Sequence, residues 1–471
     1  MSVPTTLRCL VRPSVSRHVP RQVAAVVWAA PFSTSSSLAA NPPKKKAGTQ
    51  VASIRSGKKM QLGKFKKKAP GGRTGKAPLP GERKSVRKRI QLSNSNALPV
   101  QGLAELTPEY MADKRNAGTV VSLPGTVQDQ LRVVEAFKPT QYWGMFRNPS
   151  MLVRAETVDL MSRMQQSAEK KQTLKLVVSG DRITGKSMLL LQGMAHGLLN
   201  DWIVINIPEA QELTTASTEY APIPGTNPVQ YMQNNYALKL VQAVRKANEK
   251  LLTRLTTAYS HPELPQNIPI NSTLMQLANS AKEADGAWFV FHALWQELMA
   301  KGQGRPPILF TLDGLQHIMK VSDYRSAAFN PIHSHDLALV RLFTDCLAGS
   351  YQFPAGGAVL AATSRGNAPR TPSMELALSQ REAEQTGAEP PKHDPFSRDY
   401  DTRVEASLKN VQVMKVSGVS KLEARAVMEY WAASGLLRKT VDEATVTEKW
   451  TVGGHGVLGE MERASLLTMR P

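Results

Sequence analysis

Acidic residues are almost missing from the first 90 positions, where Glu82 stands against 21 Lys and Arg. The other 381 residues hold 38 basic and 37 acidic groups, so +20 of the net charge of +21 belongs to the leader and the body is nearly neutral at +1. Cysteine is scarce as well. Cys9 falls in the leader and Cys346 stands alone after it, which excludes an intrachain disulfide in the body and any multi-cysteine metal centre. The nine histidines show no metal-ligand spacing. Long hydrophobic runs are lacking too: Val23 to Ala30 is far short of the ~20 apolar residues that cross a bilayer, and no membrane span is expected.

What the leader does contain is patterned. Residues 1–35 carry Arg8, Arg12, Arg17 and Arg21, no acid, and a Ser/Thr-rich end, the composition of a mitochondrial transit peptide, and a matrix location follows. Residues 36–105 read as a basic low-complexity extension that cannot bury enough apolar surface to fold alone. Its clusters are Lys44, Lys45 and Lys46, then Lys58 and Lys59, then Lys66, Lys67 and Lys68, then Arg87, Lys88 and Arg89. Charges this dense repel one another unless a polyanion neutralises them, and neutralised phosphates release counterions. A solvated tail or an arm for anionic lipid are the alternatives. RNA is favoured, because so basic a tail on a neutral body implies an extended polyanionic partner.

The body is organised around Leu174 to Leu199. An apolar strand runs into Gly180, Asp181, Arg182, Ile183, Thr184, Gly185, Lys186 and Ser187, and Met188 opens an apolar helix. Strand, G-x-x-x-x-G-K-S and helix is the pattern of a phosphate-binding loop. Glycine lets backbone N–H groups approach phosphate oxygens, the lysine reaches the β and γ phosphates, the serine hydroxyl holds Mg²⁺, and the helix start presents its positive dipole end. Ile308 to Asp313 supplies a second buried strand whose terminal carboxylate suits the same Mg²⁺. Active ATPases of the AAA+ type usually follow that Asp with a Glu that orients water. Here Gly314 follows, so slow hydrolysis or none is expected, with Gln316 or His317 the nearest substitutes. Thr363 and Ser364, after the strand at 358–362, are placed to sense a γ phosphate or simply to cap the strand end. No guanine-reading Asn-Lys-x-Asp or Thr-Lys-x-Asp occurs, which leaves ATP, GTP or a diphosphate open.

Continuous apolar strands separated by helices predict an α/β fold, a parallel sheet of phosphate-loop NTPase type covered on both faces. The expected boundaries are a helical lead-in at 106–170, the nucleotide domain at 171–365 with an insertion at 209–286, a Pro/Glu/Gln/Ser-rich linker at 366–400, and a small, mostly helical C-terminal domain at 401–471. In the insertion one helix is expected from about Val229 to Leu255. In the last unit Ser420 and Glu423 form a capping box, and Thr445 to Val452 reads as a short ribbon before Gly453-Gly454-His455-Gly456. The lead-in shows no chemistry and reads as packing.

Several segments together resemble one family: Met151-Leu152-Val153-Arg154, the Gly180 to Ser187 loop, Asp201-Trp202 through Pro208 with Glu209-Ala210, the Asp313 strand, and Glu429-Tyr430-Trp431 to Leu437. The chain is similar, over about residues 100 to 471, to mitochondrial small-ribosomal-subunit proteins of the death-associated protein 3 family. The resemblance implies an AAA+-like core with a small helical C-terminal unit. It implies a bound purine nucleotide, and partners among small-subunit rRNA, other small-subunit proteins and the face toward the large subunit. The Gly-Gly-His-Gly loop departs from that family's usual Gly-Gly-Asn-Pro. A free matrix NTPase, a chaperone-like or helicase-like motor, is the competing reading.

Overall fold

The computed structural model describes residues 90–366, 368–396 and 400–467. The transit-peptide reading, most of the basic extension and all eleven tail residues named above lie outside the described residues. No helix among the described residues is long and apolar enough to cross a membrane.

Five strands form one parallel sheet: β1 Thr173–Gly180, β2 Ile203–Ile207, β3 Ile308–Asp313, β4 Gly357–Ala362 and β5 Gln412–Val416, in the order β5-β1-β4-β3-β2. Strands buried on both faces must be apolar at nearly every position, which is why β2, β3 and β4 are mostly Ile, Val, Leu and Ala, while β1 and β5 admit Lys175, Gln412 and Lys415 at positions that are not buried. Alternation then divides the core. Val177, Ile205, Phe310, Val359 and Val413 point to one layer, and Leu176, Val204, Leu309, Leu360 and Met414 to the other. The second layer is covered by the helices Ala155–Glu169 and Lys186–Leu199 together with the lead-in. The first is covered by Asn234–Ala247, Ala287–Leu298 and Ala338–Ala348, with Trp295 and Phe343 packed against Phe310. The ends of β1, β3, β4 and β5 share one sheet edge, through the pairings Ala362 with Asp313, Ala362 with Val178 and Val416 with Gly180.

Five local readings are corrected. The helix expected across 229–255 is two, Asn234–Ala247 and Glu249–Arg254, because Asn248 turns its amide onto the sheet. Its Oδ1 accepts from Val204 N at 2.9 Å and its Nδ2 donates to Val204 O at 3.0 Å, closing the outer edge of β2 as a neighbouring strand would. The segment expected to be a linker contains a 15-residue helix, Pro372–Thr386, started by Pro at its first turn, ended by Gly387 and buried through Met374, Ala377 and Leu378. The strand expected inside a separate C-terminal unit is β5, an edge strand of the main sheet. The expected ribbon at 445–452 is the helix Glu443–Val452, because Asp442 caps it by accepting from Thr445 N. The Ser420–Glu423 capping box forms as expected at the head of the helix Lys421–Ala433. That helix, with Val446 and Met461, packs a third cluster onto Phe146 and Leu152 of the lead-in. The lead-in is also not purely helical: Val120–Ser122 pairs antiparallel with Ser150–Leu152.

Candidate nucleotide-binding site

The glycine loop leaves β1 and enters the helix Lys186–Leu199 at the carboxyl edge of the sheet. Gly180 has φ +146°, and a Cβ there would lie 2.3 Å from Val416 O, so the loop and β5 approach as closely as they do because position 180 has no side chain. Ile183 is held at φ +54°, a left-handed conformation that a β-branched residue takes only under constraint. Gly459 N donates to Ile183 O at 3.3 Å, and Arg154 Nη1 donates to Thr184 O at 3.0 Å. The C-terminal helix Leu458–Glu462 thus abuts the loop, while the Gly-Gly-His-Gly turn before it bonds to Lys449, Trp450 and Thr451 of the preceding helix and to Val419.

Lys186 is buried, and its Nζ folds back to donate to Gly180 O at 3.0 Å and to Asp181 O. Burial pushes its pKa down to about 8, against the pull of Asp313. Ser187 Oγ donates to Asp313 Oδ2 at 2.7 Å, bringing the hydroxyl and the strand-end carboxylate into direct contact. Two hard oxygen donors at a helix N-terminus, beside a buried amine, fit a Mg²⁺-triphosphate: the pair would hold the cation and Lys186 would face the phosphates. Met188, in the first helical turn, is half-buried, and Asp181 and Arg182 are exposed. Arg365 Nη1 pairs with Asp181 Oδ1 at 3.2 Å across the mouth of the loop.

The remaining sequence candidates are engaged elsewhere. Thr363 Oγ1 and N both donate to Val178 O, at 3.3 and 3.0 Å. Gln316 Nε2 donates to Ser364 O at 2.8 Å and its Oε1 accepts from Ser364 N at 2.9 Å, so Gln316 bolts the turn after β3 to the end of β4. Gly314 sits at φ +88° and ψ +46°. The position that lacks a Glu is also one whose backbone disfavours any side chain. His317 is half-buried with its pKa lowered, first by desolvation and then by Lys320.

Two residues at the site come from the stretch that read as packing. Arg154 is buried, and Lys138 Nζ reaches Ser187 Oγ at 3.3 Å and Asp313 Oδ2. A charge closing the apolar run Met151 to Val153 was a legible sign for Arg154. Lys138, between Phe137 and Pro139, carries no local sign at all.

The sheet and this edge define the class: a parallel α/β protein with a glycine loop, a buried amine, a hydroxyl and a carboxylate gathered at the carboxyl ends of its strands, where such sheets take ligands. The family model for mitochondrial ribosomal death-associated protein 3 matches residues 151–464, and the chain belongs to that family. It is 57% identical, over the whole of both chains, to the small ribosomal subunit protein mS29 of Neurospora crassa. It is 23% identical to mS29 of Schizosaccharomyces pombe across 77% of each chain. A mitochondrial ribosomal family places the chain in the mitochondrial matrix.

Proposed function

We propose that this chain is a structural constituent of the mitochondrial small ribosomal subunit whose AAA+-like phosphate-loop domain holds a purine nucleotide, ATP or GTP or the diphosphate, with Mg²⁺, and turns it over slowly or not at all. The ribosomal part rests on the full-length likeness to mS29 of Neurospora crassa. The nucleotide part rests above all on the contact of Ser187 Oγ with Asp313 Oδ2 beside the glycine loop. Mg²⁺, when bound, would supply positive charge against the phosphates. This chain's own residues would do the rest: Ser187 and Asp313 would hold the cation, Lys186 would exchange loop carbonyls for phosphate oxygens, and the first backbone N–H groups of the helix, which lack helical acceptors, would face the anion. A left-handed Gly314 and an occupied Gln316 leave the attacking water without a base at the usual place.

The basic leader, on this reading, tracks rRNA, and the body contacts other small-subunit proteins and the face toward the large subunit. A bound nucleotide adds stability in proportion to the logarithm of its excess over Kd, about 2.7 kcal/mol at a hundredfold excess. The test is sedimentation of the tagged chain from a matrix lysate, with and without RNase, and mass analysis of the nucleotide that accompanies it. Co-migration with the small subunit, lost on RNase treatment, together with a stoichiometric purine nucleotide, is the expected result. Migration as an RNase-resistant free oligomer would put the motor in its place, and a ribosomal chain carrying no nucleotide would leave a scaffold.

A further inference from the structure

Lys138 sits at the point where the proposed site would take its divalent cation. Its Nζ contacts the same two oxygens, Ser187 Oγ at 3.3 Å and Asp313 Oδ2 in an ion pair. The placement is built by several bonds. Gln141 Oε1 accepts from Lys138 N at 2.8 Å and from Trp143 Nε1 at 2.7 Å, and Trp143 is buried edge-on against Phe137 with ring centroids 5.3 Å apart. Just upstream, Asn206 Nδ2 donates to Val134 O at 2.8 Å while its Oδ1 accepts from Thr311 Oγ1 at 2.8 Å. The turn that carries the lysine is therefore fastened through β2 to the strand that carries Asp313. The Asp313 side chain is 8% exposed, and a carboxylate so buried requires a positive partner. The chain supplies one 175 residues away in sequence.

We propose that Lys138 is a built-in counter-cation that competes with Mg²⁺ for Ser187 and Asp313 and thereby relieves the site of a strict requirement for the metal. An unpaired Asp313 would repel a triphosphate; paired with Lys138 it does not, so nucleotide binds with the metal scarce. When Mg²⁺ is abundant it must displace the ammonium, and its own affinity is correspondingly reduced. The nucleotide half of this inference rests on the function proposed above; the competition for the two oxygens does not.

The experiment uses the full chain. Mn²⁺ binding to nucleotide-free protein, followed by electron paramagnetic resonance, is compared between the parent and Lys138→Met. Removing one charge-assisted contact predicts Mn²⁺ affinity about tenfold higher in the variant, with Lys138→Arg close to the parent. Fluorescent ATP and GTP analogues are then titrated in Mg²⁺ and in EDTA. The parent is expected to lose no more than about threefold in EDTA and Lys138→Met at least about tenfold. If Lys138→Met folds poorly, Lys138→Gln, which keeps a donor without the charge, is read the same way. Equal Mn²⁺ affinity in parent and variant overturns the proposal. So does an equal EDTA effect on nucleotide binding in the two. A Mn²⁺ difference with no nucleotide bound by either protein supports the counter-cation and sinks the nucleotide reading instead.

Discussion

Arg154 donates to the carbonyl of Ser417, 263 residues later in the chain, at 2.9 Å, from the same buried guanidinium that holds Thr184 O at 3.0 Å and Glu156 Oε1 at 2.9 Å. Ser417 directly follows β5, and Thr184 lies in the glycine loop. One side chain thus fixes the loop to the last strand of the sheet. Planar, forked donors do this and a point charge does not. Arg154→Ala is expected to lower unfolding free energy by about 3 kcal/mol, with Arg154→Lys recovering little of it. Urea midpoints measure both. A loss below about 1 kcal/mol for Arg154→Ala would mean that the clamp is dispensable.

Gly314 answers a separate question, whether restoring a Glu after Asp313 makes an ATPase. At φ +88° a side chain costs about 1–2 kcal/mol, and a Cβ there would come within 3.3 Å of His317 Cδ2. Gly314→Glu is expected to be less stable than the parent and no faster at hydrolysis, because the strain misplaces the new carboxylate. Phosphate release from the purified variant decides it. Turnover reaching about one per second would show that the missing base was the sole obstacle.

Lys186 gives the site a pH dependence whose sign can be worked out. Its folded pKa, about 8, lies below the ~10.4 of an unfolded chain. Between those values the unfolded chain binds more protons, so this group's penalty is full below about pH 8 and is relieved as pH rises toward 10. Nucleotide-free parent should therefore gain stability relative to Lys186→Met over that range. Nucleotide affinity should move the opposite way, since phosphates require the charged amine, falling by up to about tenfold per pH unit above 8. Lys186→Arg, which stays charged, should flatten that fall. Titration of a fluorescent nucleotide between pH 7 and 10 reads it, and a flat profile in the parent would remove Lys186 from the phosphate contacts.

Sequence carried the strands of this fold well where burial on both faces forces nearly unbroken apolar runs, as in β2, β3 and β4. It carried the Ser420–Glu423 box because capping is a local matter of spacing. It did not carry the Pro372–Thr386 helix, whose buried side is only a few residues wide and whose Glu, Gln and Ser face looks like a linker. Pro at the helix start and Gly387 at its end were the signals to weigh more heavily. Nor could the alternation at Thr445 to Val452 compete with the Asp442 cap, since β-branched residues accept a helix when tertiary packing favours it. The site divides the same way. Gly180 to Ser187 and Asp313 announce themselves by residue type and spacing. Lys138 is visible only once the sheet places it against residues far away in the chain.

Glu297 shows how the insertion is held to the domain that carries this site. It is fully buried and accepts from Ala258 N at 2.7 Å, Tyr259 N at 2.8 Å, His261 Nε2 at 2.9 Å and Arg305 Nη2 at 2.8 Å. Arg305, its pKa lowered by desolvation against the pull of Glu297, also donates to Thr256 O at 2.8 Å. A carboxylate on the Ala287–Leu298 helix thereby organises the chain from 256 to 261. Glu297→Gln keeps the volume but leaves Arg305 as a buried charge without its counterpart, at a cost of about 3–5 kcal/mol. Arg305→Met should cost a comparable amount, and the double variant less than the sum of the two, because the second change removes a charge that the first has already orphaned. Chemical denaturation of the four proteins closes the cycle. Strictly additive losses would show that the two groups act on the insertion separately, through their backbone contacts and not through each other.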